Sequence, residues 1–223
     1  MLRRLALFAL LLTLAACANG RKVDYAHAYP EVPRTFSKVV EVQVIDERPY
    51  VVSGNKKGSF VGLTRGSYYI PYDVNTRSGE PLSKELQQSL LGGFERKGIK
   101  AQAASDKVAH ASSAEARLLS VRVREWKSER FVGVVLTHAV TVEVFNAQGQ
   151  RLASVPLQGS NNVYNFTTSG QNILSEVLAA EPIQLALDGK LVEPVEAATT
   201  ESGPVSRDPI PLFTPTITRD GVF

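Results

Sequence analysis

Valines at 40, 42 and 44 alternate with Glu41 and Gln43 across Lys38–Asp46, the two-residue period of a strand with one buried face. Val39 and Ile45 add apolar character to its other face. The period then changes. Leu82, Leu86, Leu90 and Phe94 recur every four residues, widened by Leu91, and predict an amphipathic helix. Pro81 suits its first turn, with Ser78 or Glu80 near the cap, and Gly98 is a natural stop. Gly92 and Gly93 each cost such a helix about 1 kcal/mol relative to alanine. They either permit close packing on a sheet or mark an earlier helix end. Ile99–Ala103 reads as a short strand, and Ala104–Ala116 as a small, polar loop or brief helix.

Three strands follow. Leu119, Val121 and Val123 face one way, with Arg122, Arg124 and Trp126 on the other side. Val134, Leu136, Val140, Val142 and Val144 share a face opposite Thr137, Thr141 and Glu143. Asn146-Ala147-Gln148-Gly149 predicts a hairpin turn with glycine at positive φ. Leu152–Gln158 returns with Ala153, Val155 and Leu157 inward; Pro156 cannot donate to a ladder and places this strand at an edge or a bulge. Ile173, Leu174, Val177 and Leu178 predict a second helix, which Pro182 ends or extends by a turn through Leu187 to Gly189. The expected architecture is α+β: an antiparallel sheet of about four to five strands with two helices packed on one face.

The two ends differ from this core. Arg3 and Arg4, an apolar run from Leu5 to Leu14, and Ala15-Ala16 read as a secretory signal over residues 1–16. That run of ten residues, broken only by Thr13, spans about 15 Å as a helix, against a hydrocarbon core of about 30 Å. The segment Leu14-Ala15-Ala16-Cys17 resembles the lipobox of bacterial lipoproteins. That resemblance implies a diacylglyceryl group on the Cys17 thiol, cleavage before it, and acylation of the freed amine. Ala18, a non-aspartate, implies sorting to the outer membrane in the enterobacterial pattern. Cys17 is the single cysteine of the chain, so no disulfide forms within a monomer and no thiol remains for zinc or catalysis.

Residues 17–35 are expected to form the lipidated N-terminus and a tether, and 36–190 the domain. Within the domain, 49–77 reads as a long irregular loop with glycines at 54, 58, 62 and 66. Residues 191–223, with prolines at 194, 204, 209, 211 and 215, read as a disordered Pro/Thr-rich tail.

Charge narrows the partner classes. Removing Arg3 and Arg4 with the signal leaves 23 basic side chains against 22 acidic, a net of +1. The pI near 9.0 therefore owes part of its value to the signal, and there is no global electrostatic case for nucleic acid.

The strand Val39–Asp46 closes on Asp46-Glu47-Arg48-Pro49. With the lipobox and this element order, the chain resembles YajG-like small envelope lipoproteins of Gram-negative bacteria over about residues 36–190. The resemblance implies location and fold rather than an activity.

Candidate chemistry is sparse. No HExxH, Cys/His cluster, G-x-S-x-G elbow or phosphate-binding glycine motif occurs, so no metal or cofactor site and no catalytic set is expected. His138 lies on the apolar side of its strand, where a hydrogen-bonded histidine at the core margin is the plainer alternative to a general base. Asp46 and Arg48 are expected to form a charge-assisted contact at the loop entry. Arg122, Arg124 and Trp126 form a candidate surface patch.

The loop offers more. Lys56, Lys57 and Arg65 lie among Tyr68, Tyr69 and Tyr72, a mixture suited to a protein partner, an anionic headgroup or a glycan. The plainer alternative is that these aromatics pack back on the sheet. The expected function is a non-enzymatic, lipid-anchored envelope accessory that contacts a membrane through Cys17 and an envelope partner through the loop. The alternatives are a periplasmic lipid- or glycan-binding module with a tyrosine-lined pocket and, less favoured, an enzyme.

Overall fold

A computed structural model of the chain describes residues 21–190 apart from 106–107 and 131–132. The expected signal, Cys17 and the Pro/Thr-rich tail lie outside the described residues. Among the described residues eight strands form one sheet: β1 (Lys22–Val23), β2 (Val39–Asp46), β3 (Phe60–Arg65), β4 (Pro71–Thr76), β5 (Ala101–Ala103), β6 (Ala116–Arg130), β7 (Val134–Phe145) and β8 (Arg151–Asn162). Four α-helices accompany them among the described residues: α1 (Pro49–Val52), α2 (Leu82–Arg96), α3 (Phe166–Ala179) and α4 (Glu181–Leu187).

This corrects the expected sheet of four to five antiparallel strands with two helices. The sheet is mixed: β1–β4, β2–β5, β2–β6 and β3–β6 are parallel pairs, while β3–β4, β6–β7 and β7–β8 are antiparallel. The cause is the length of β6. One edge of it pairs with β7 throughout, whereas the other pairs first with β2 and then, beyond a gap, with β3. Local periodicity reports which face a residue occupies but not which distant strand shares its edge.

The four-residue stripe of α2 lands as read: Leu82, Leu86, Leu90 and Phe94 are fully buried. They join Val40, Val42, Leu119, Val121 and residues of α3 and α4 in one core cluster. The opposite face carries the buried polar side chains of β2. Glu41 accepts from the Ser112 backbone N–H at 2.9 Å and from its hydroxyl, and Gln43 Nε2 donates to Val108 O at 2.9 Å. The stretch after Ala103 thus lies over this face, where Ala111 packs with Ala116 and Leu118. Pro156 is on the edge strand β8.

The glycines of α2 serve neither expected purpose. A Cβ on Gly93 would stand 2.8 Å from Pro30 Cδ and from Pro30 O, and one on Gly170 of α3 would stand 2.7 Å from Tyr25 Cδ1. The glycines make room for residues 24–33, which run between α2 and α3. Tyr25 N donates to Glu85 Oε2, Ser89 Oγ to Ala28 O, and Thr167 Oγ1 to Asp24 O. Tyr25, Ala28 and Val32 are buried. The part of the expected tether from Val23 onward is therefore built into the core, since aromatic and proline side chains fill the notches that glycine leaves.

The expected irregular loop 49–77 is also corrected. It holds α1, β3, β4 and a 3₁₀ turn at Ser67–Tyr69. Phe60, Val61 and Val74 are buried. Gly62, at a bulge, is needed because a Cβ there would stand 2.3 Å from Ser128 O.

Candidate functional site

Arg48 determines how the β3–β4 hairpin is held. β2 stops pairing with β6 at Val123 and β3 starts at Ser128, which leaves a gap along that edge. The Arg48 side chain fills it with no solvent exposure. Its Nε and Nη2 donate to Asp46 Oδ1 and Oδ2 at 2.8 and 2.7 Å. Nη2 also donates to Gly58 O at 2.9 Å, and Nη1 to Phe60 O at 2.5 Å and Trp126 O at 3.4 Å. Burial pulls the guanidinium pKa down, but the Asp46 carboxylate outweighs it and the net shift is upward. Beside it, Tyr50 donates to Glu125 Oε1 at 2.7 Å and meets Phe60 edge-on at 5.5 Å. Burial and that carboxylate push its phenol pKa up. The contact expected between Asp46 and Arg48 is thus a structural plug.

From this base the hairpin runs to a tip at Gly66–Ile70. Tyr68 is 93% exposed, Tyr69 67% and Ile70 50%. Tyr68 and Tyr69 have φ of 61° and 60°, in the left-handed region that costs a bulky side chain about 1–2 kcal/mol. Tyr72 is 40% exposed and its ring lies across Gly66, where a Cβ would stand 2.7 Å from Tyr72 Cε2. Arg65 on β3 and Arg130 on β6 are exposed, on strands paired up to Thr64–Arg130. Neither is in an ion pair among the described residues.

The fold separates the six loop residues singled out from the sequence. Arg65, Tyr68, Tyr69 and Tyr72 cluster at the tip. Lys56 instead pairs with Asp73 at 2.6 Å, with its ammonium 4.7 Å from the Phe60 ring centroid. Lys57 is exposed beside it in sequence, before β3 begins. Sequence reasoning missed Ile70 and the 96%-exposed Tyr164, which follows β8 at the same end of the sheet. An apolar residue that breaks no period gives no signal of its exposure.

Two other candidates change character. A register shift between Val123 and Glu125 turns Trp126 to the core face, where it is fully buried and meets Tyr25 edge-on at 5.4 Å. Arg122 therefore does not stack on it. It pairs with Glu47 at 2.6 Å and Glu143 at 3.5 Å, and hydrogen bonding from Arg122 holds the Glu47 carboxyl below its usual range. His138 sits opposite Trp126, 3% exposed. Its Nδ1 has no hydrogen-bond partner among the described residues, and burial lowers its pKa from 6.5. The expected hydrogen bond is not formed.

A groove of about 620 Å³ lies between α2 and α3, lined by Tyr29, Pro33, Arg96, Lys97, Gln171 and Ser175 among others. The guanidinium of Arg96 stands 3.8 Å over the Tyr29 ring. The loop tyrosines Tyr68, Tyr69 and Tyr72 do not line it; they stand on the β3–β4 hairpin. Among the described residues no three metal-ligating side chains converge, and no helix is long and apolar enough to cross a membrane.

No family model and no curated protein matches the chain. Among solved structures it is similar to a Xanthomonas campestris protein of the DUF330 family, with 13% identity and a TM-score of 0.44 over 75% of this chain and 92% of that one. It is also similar to the PelC dodecamer protein of Paraburkholderia phytofirmans, with 15% identity and a TM-score of 0.41 over 70% and 93%. A third is the lipoprotein GNA1162 of Neisseria meningitidis, with 14% identity and a TM-score of 0.30 over 66% and 95%.

Proposed function

We propose that the chain is a lipoprotein of the Gram-negative envelope, held through acyl chains on Cys17 at the periplasmic face of the outer membrane. Its domain acts as a non-enzymatic interaction or assembly accessory that contacts an envelope component through the β3–β4 tip. The observation that carries this reading is the tip itself: Tyr68 and Tyr69, exposed and in left-handed backbone, form an apolar surface that the core does not use. The position of Cys17 after a charged head, an apolar run and two alanines supports the anchor. A single acyl chain binds only marginally, so two or three chains hold the protein durably. The YajG-like reading belongs to the same proposal, supported by Asp46 and Arg48 closing β2.

Cell fractionation of the whole chain tests it. Cys17→Ser moves the protein from the membrane to the soluble periplasmic fraction. A Tyr68→Ser, Tyr69→Ser variant stays anchored and folded but loses its envelope crosslinks. A Cys17→Ser chain that fractionates like the parent defeats the anchor, and unchanged crosslinks in the tyrosine variant defeat the tip.

A further inference from the structure

We propose that the β3–β4 tip docks on the lipid bilayer itself, as a second membrane contact beside the acylated N-terminus. This deepens the reading above and rests on its anchor, but its own evidence is the direction of the chain.

β1 runs parallel to β4, with Lys22 opposite Asn75 and Val23 opposite Thr76, and Asn75 N donates to Arg21 O at 3.0 Å. Going back from Val23 to Arg21, the chain therefore runs along β4 in the direction of Pro71, the tip end. Cys17 is four residues before Arg21, a reach of about 14 Å at most. From Asn75 back to Pro71 is also four residues, or about 13 Å of strand. The anchor can stand level with the tip.

It cannot reach the other end. Asn75 pairs with Phe60, and Gly62 with Ser128, so Arg21 sits near the level of Trp126. From there β6 continues ten residues back to Ala116, about 33 Å, and the β7–β8 turn at Gln148 lies at that far end. The tip end is therefore within reach of a membrane-held Cys17, and the β7–β8 end is not.

What that end presents suits a bilayer surface. Tyrosine combines an apolar ring with a polar hydroxyl and collects at headgroup level. Tyr68 and Tyr69 project with Ile70 beside them, and Arg65 and Arg130 stand nearby without ion-pair partners among the described residues. Basic side chains in that position attract anionic headgroups.

The test uses the full chain. With Cys17 acylated, Ile70→Cys gives one free thiol for an environment-sensitive fluorophore, and Gln148→Cys gives the control at the far end. In phosphatidylethanolamine–phosphatidylglycerol vesicles, the label at 70 shifts to shorter wavelength and is quenched by shallow spin-labelled lipid, whereas the label at 148 behaves as in water. A second arm dispenses with the anchor: Cys17→Ser protein sediments with the same vesicles, and adding Tyr68→Ser, Tyr69→Ser and Ile70→Ser lowers the bound fraction about five-fold or more. A label at 70 as wet as that at 148, or one shielded by a second copy or another protein without lipid quenching, overturns the proposal. So does sedimentation that the triple variant leaves unchanged. Either failure with acylated Cys17 seen by mass leaves the lipoprotein reading standing. Tip binding with unmodified Cys17 does the reverse.

Discussion

Replacing Arg48 with methionine removes the plug between β2 and β3 while keeping an apolar stem in the same space. The variant strands Asp46, whose side chain is only 13% exposed, and takes the guanidinium donor from the carbonyls of Phe60, Trp126 and Gly58, of which Gly58 keeps the Leu82 N–H at 2.9 Å and Trp126 the Tyr50 hydroxyl at 3.5 Å. Breaking a buried ion pair by deleting one partner costs about 3–5 kcal/mol, and a buried carbonyl left without a donor costs about 1 kcal/mol or more. Water reaching Asp46 and the weak 3.4 Å bond to Trp126 hold the total to about 4 kcal/mol. For a domain of this size that is a fall in Tm of roughly 8–16 °C. Urea unfolding followed both by far-UV circular dichroism and by the fluorescence of Trp126, the sole tryptophan, measures it, with the slope m unchanged. Arg48→Lys recovers little, because an ammonium cannot reproduce the fork. Adding Asp46→Asn to Arg48→Met recovers about 1–2 kcal/mol by removing the isolated carboxylate. A loss below about 1 kcal/mol for Arg48→Met, or a lysine variant equal to the parent, refutes the plug.

Gly93→Ala, which would gain about 1 kcal/mol in an isolated helix, instead lowers stability by about 1–3 kcal/mol because its Cβ meets Pro30 O; thermal melts decide the sign. His138 carries a folded-state pKa below its unfolded value, so the unfolded chain takes the proton first. Its contribution is complete above about pH 6.5 and lost as pH falls from there toward the folded pKa. Urea midpoints between about pH 7.5 and 5.5 fall for the parent chain, and His138→Gln flattens that slope. Tyr68→Gly relieves left-handed strain of about 1–2 kcal/mol against a glycine entropy cost of about 0.5–1. Stability therefore rises by about 0.5 kcal/mol in chemical denaturation while membrane contact weakens; a clear loss would show that the Tyr68 ring supports the fold.

Where a period was clean, the sequence was enough to place the residue. The α2 stripe is buried as read, and the Asn146–Gly149 turn carries its positive φ at Gly149. Where one extra residue entered, it was not. The shift between Val123 and Glu125 moves Trp126 across the sheet, and a bulge leaves no mark on composition. Pro30 and Tyr25 looked like tether because their partners, Gly93 and Gly170, lie far along the chain. Glycines at 54, 58, 62 and 66 made 49–77 look irregular, although Gly62 is there because β6 comes close. Of the site, Tyr68, Tyr69, Tyr72 and Arg65 were legible as types. Their separation from Lys56 was not, since Asp73 draws that lysine away from the tip.

Mass measurement of protein extracted from envelopes, with sequencing of its N-terminal peptide, bears most directly on the account. The chain begins at Cys17 and carries a diacylglyceryl group, with or without a third acyl chain on the amine. A mature chain that starts elsewhere, or a Cys17 with an unmodified thiol, contradicts it.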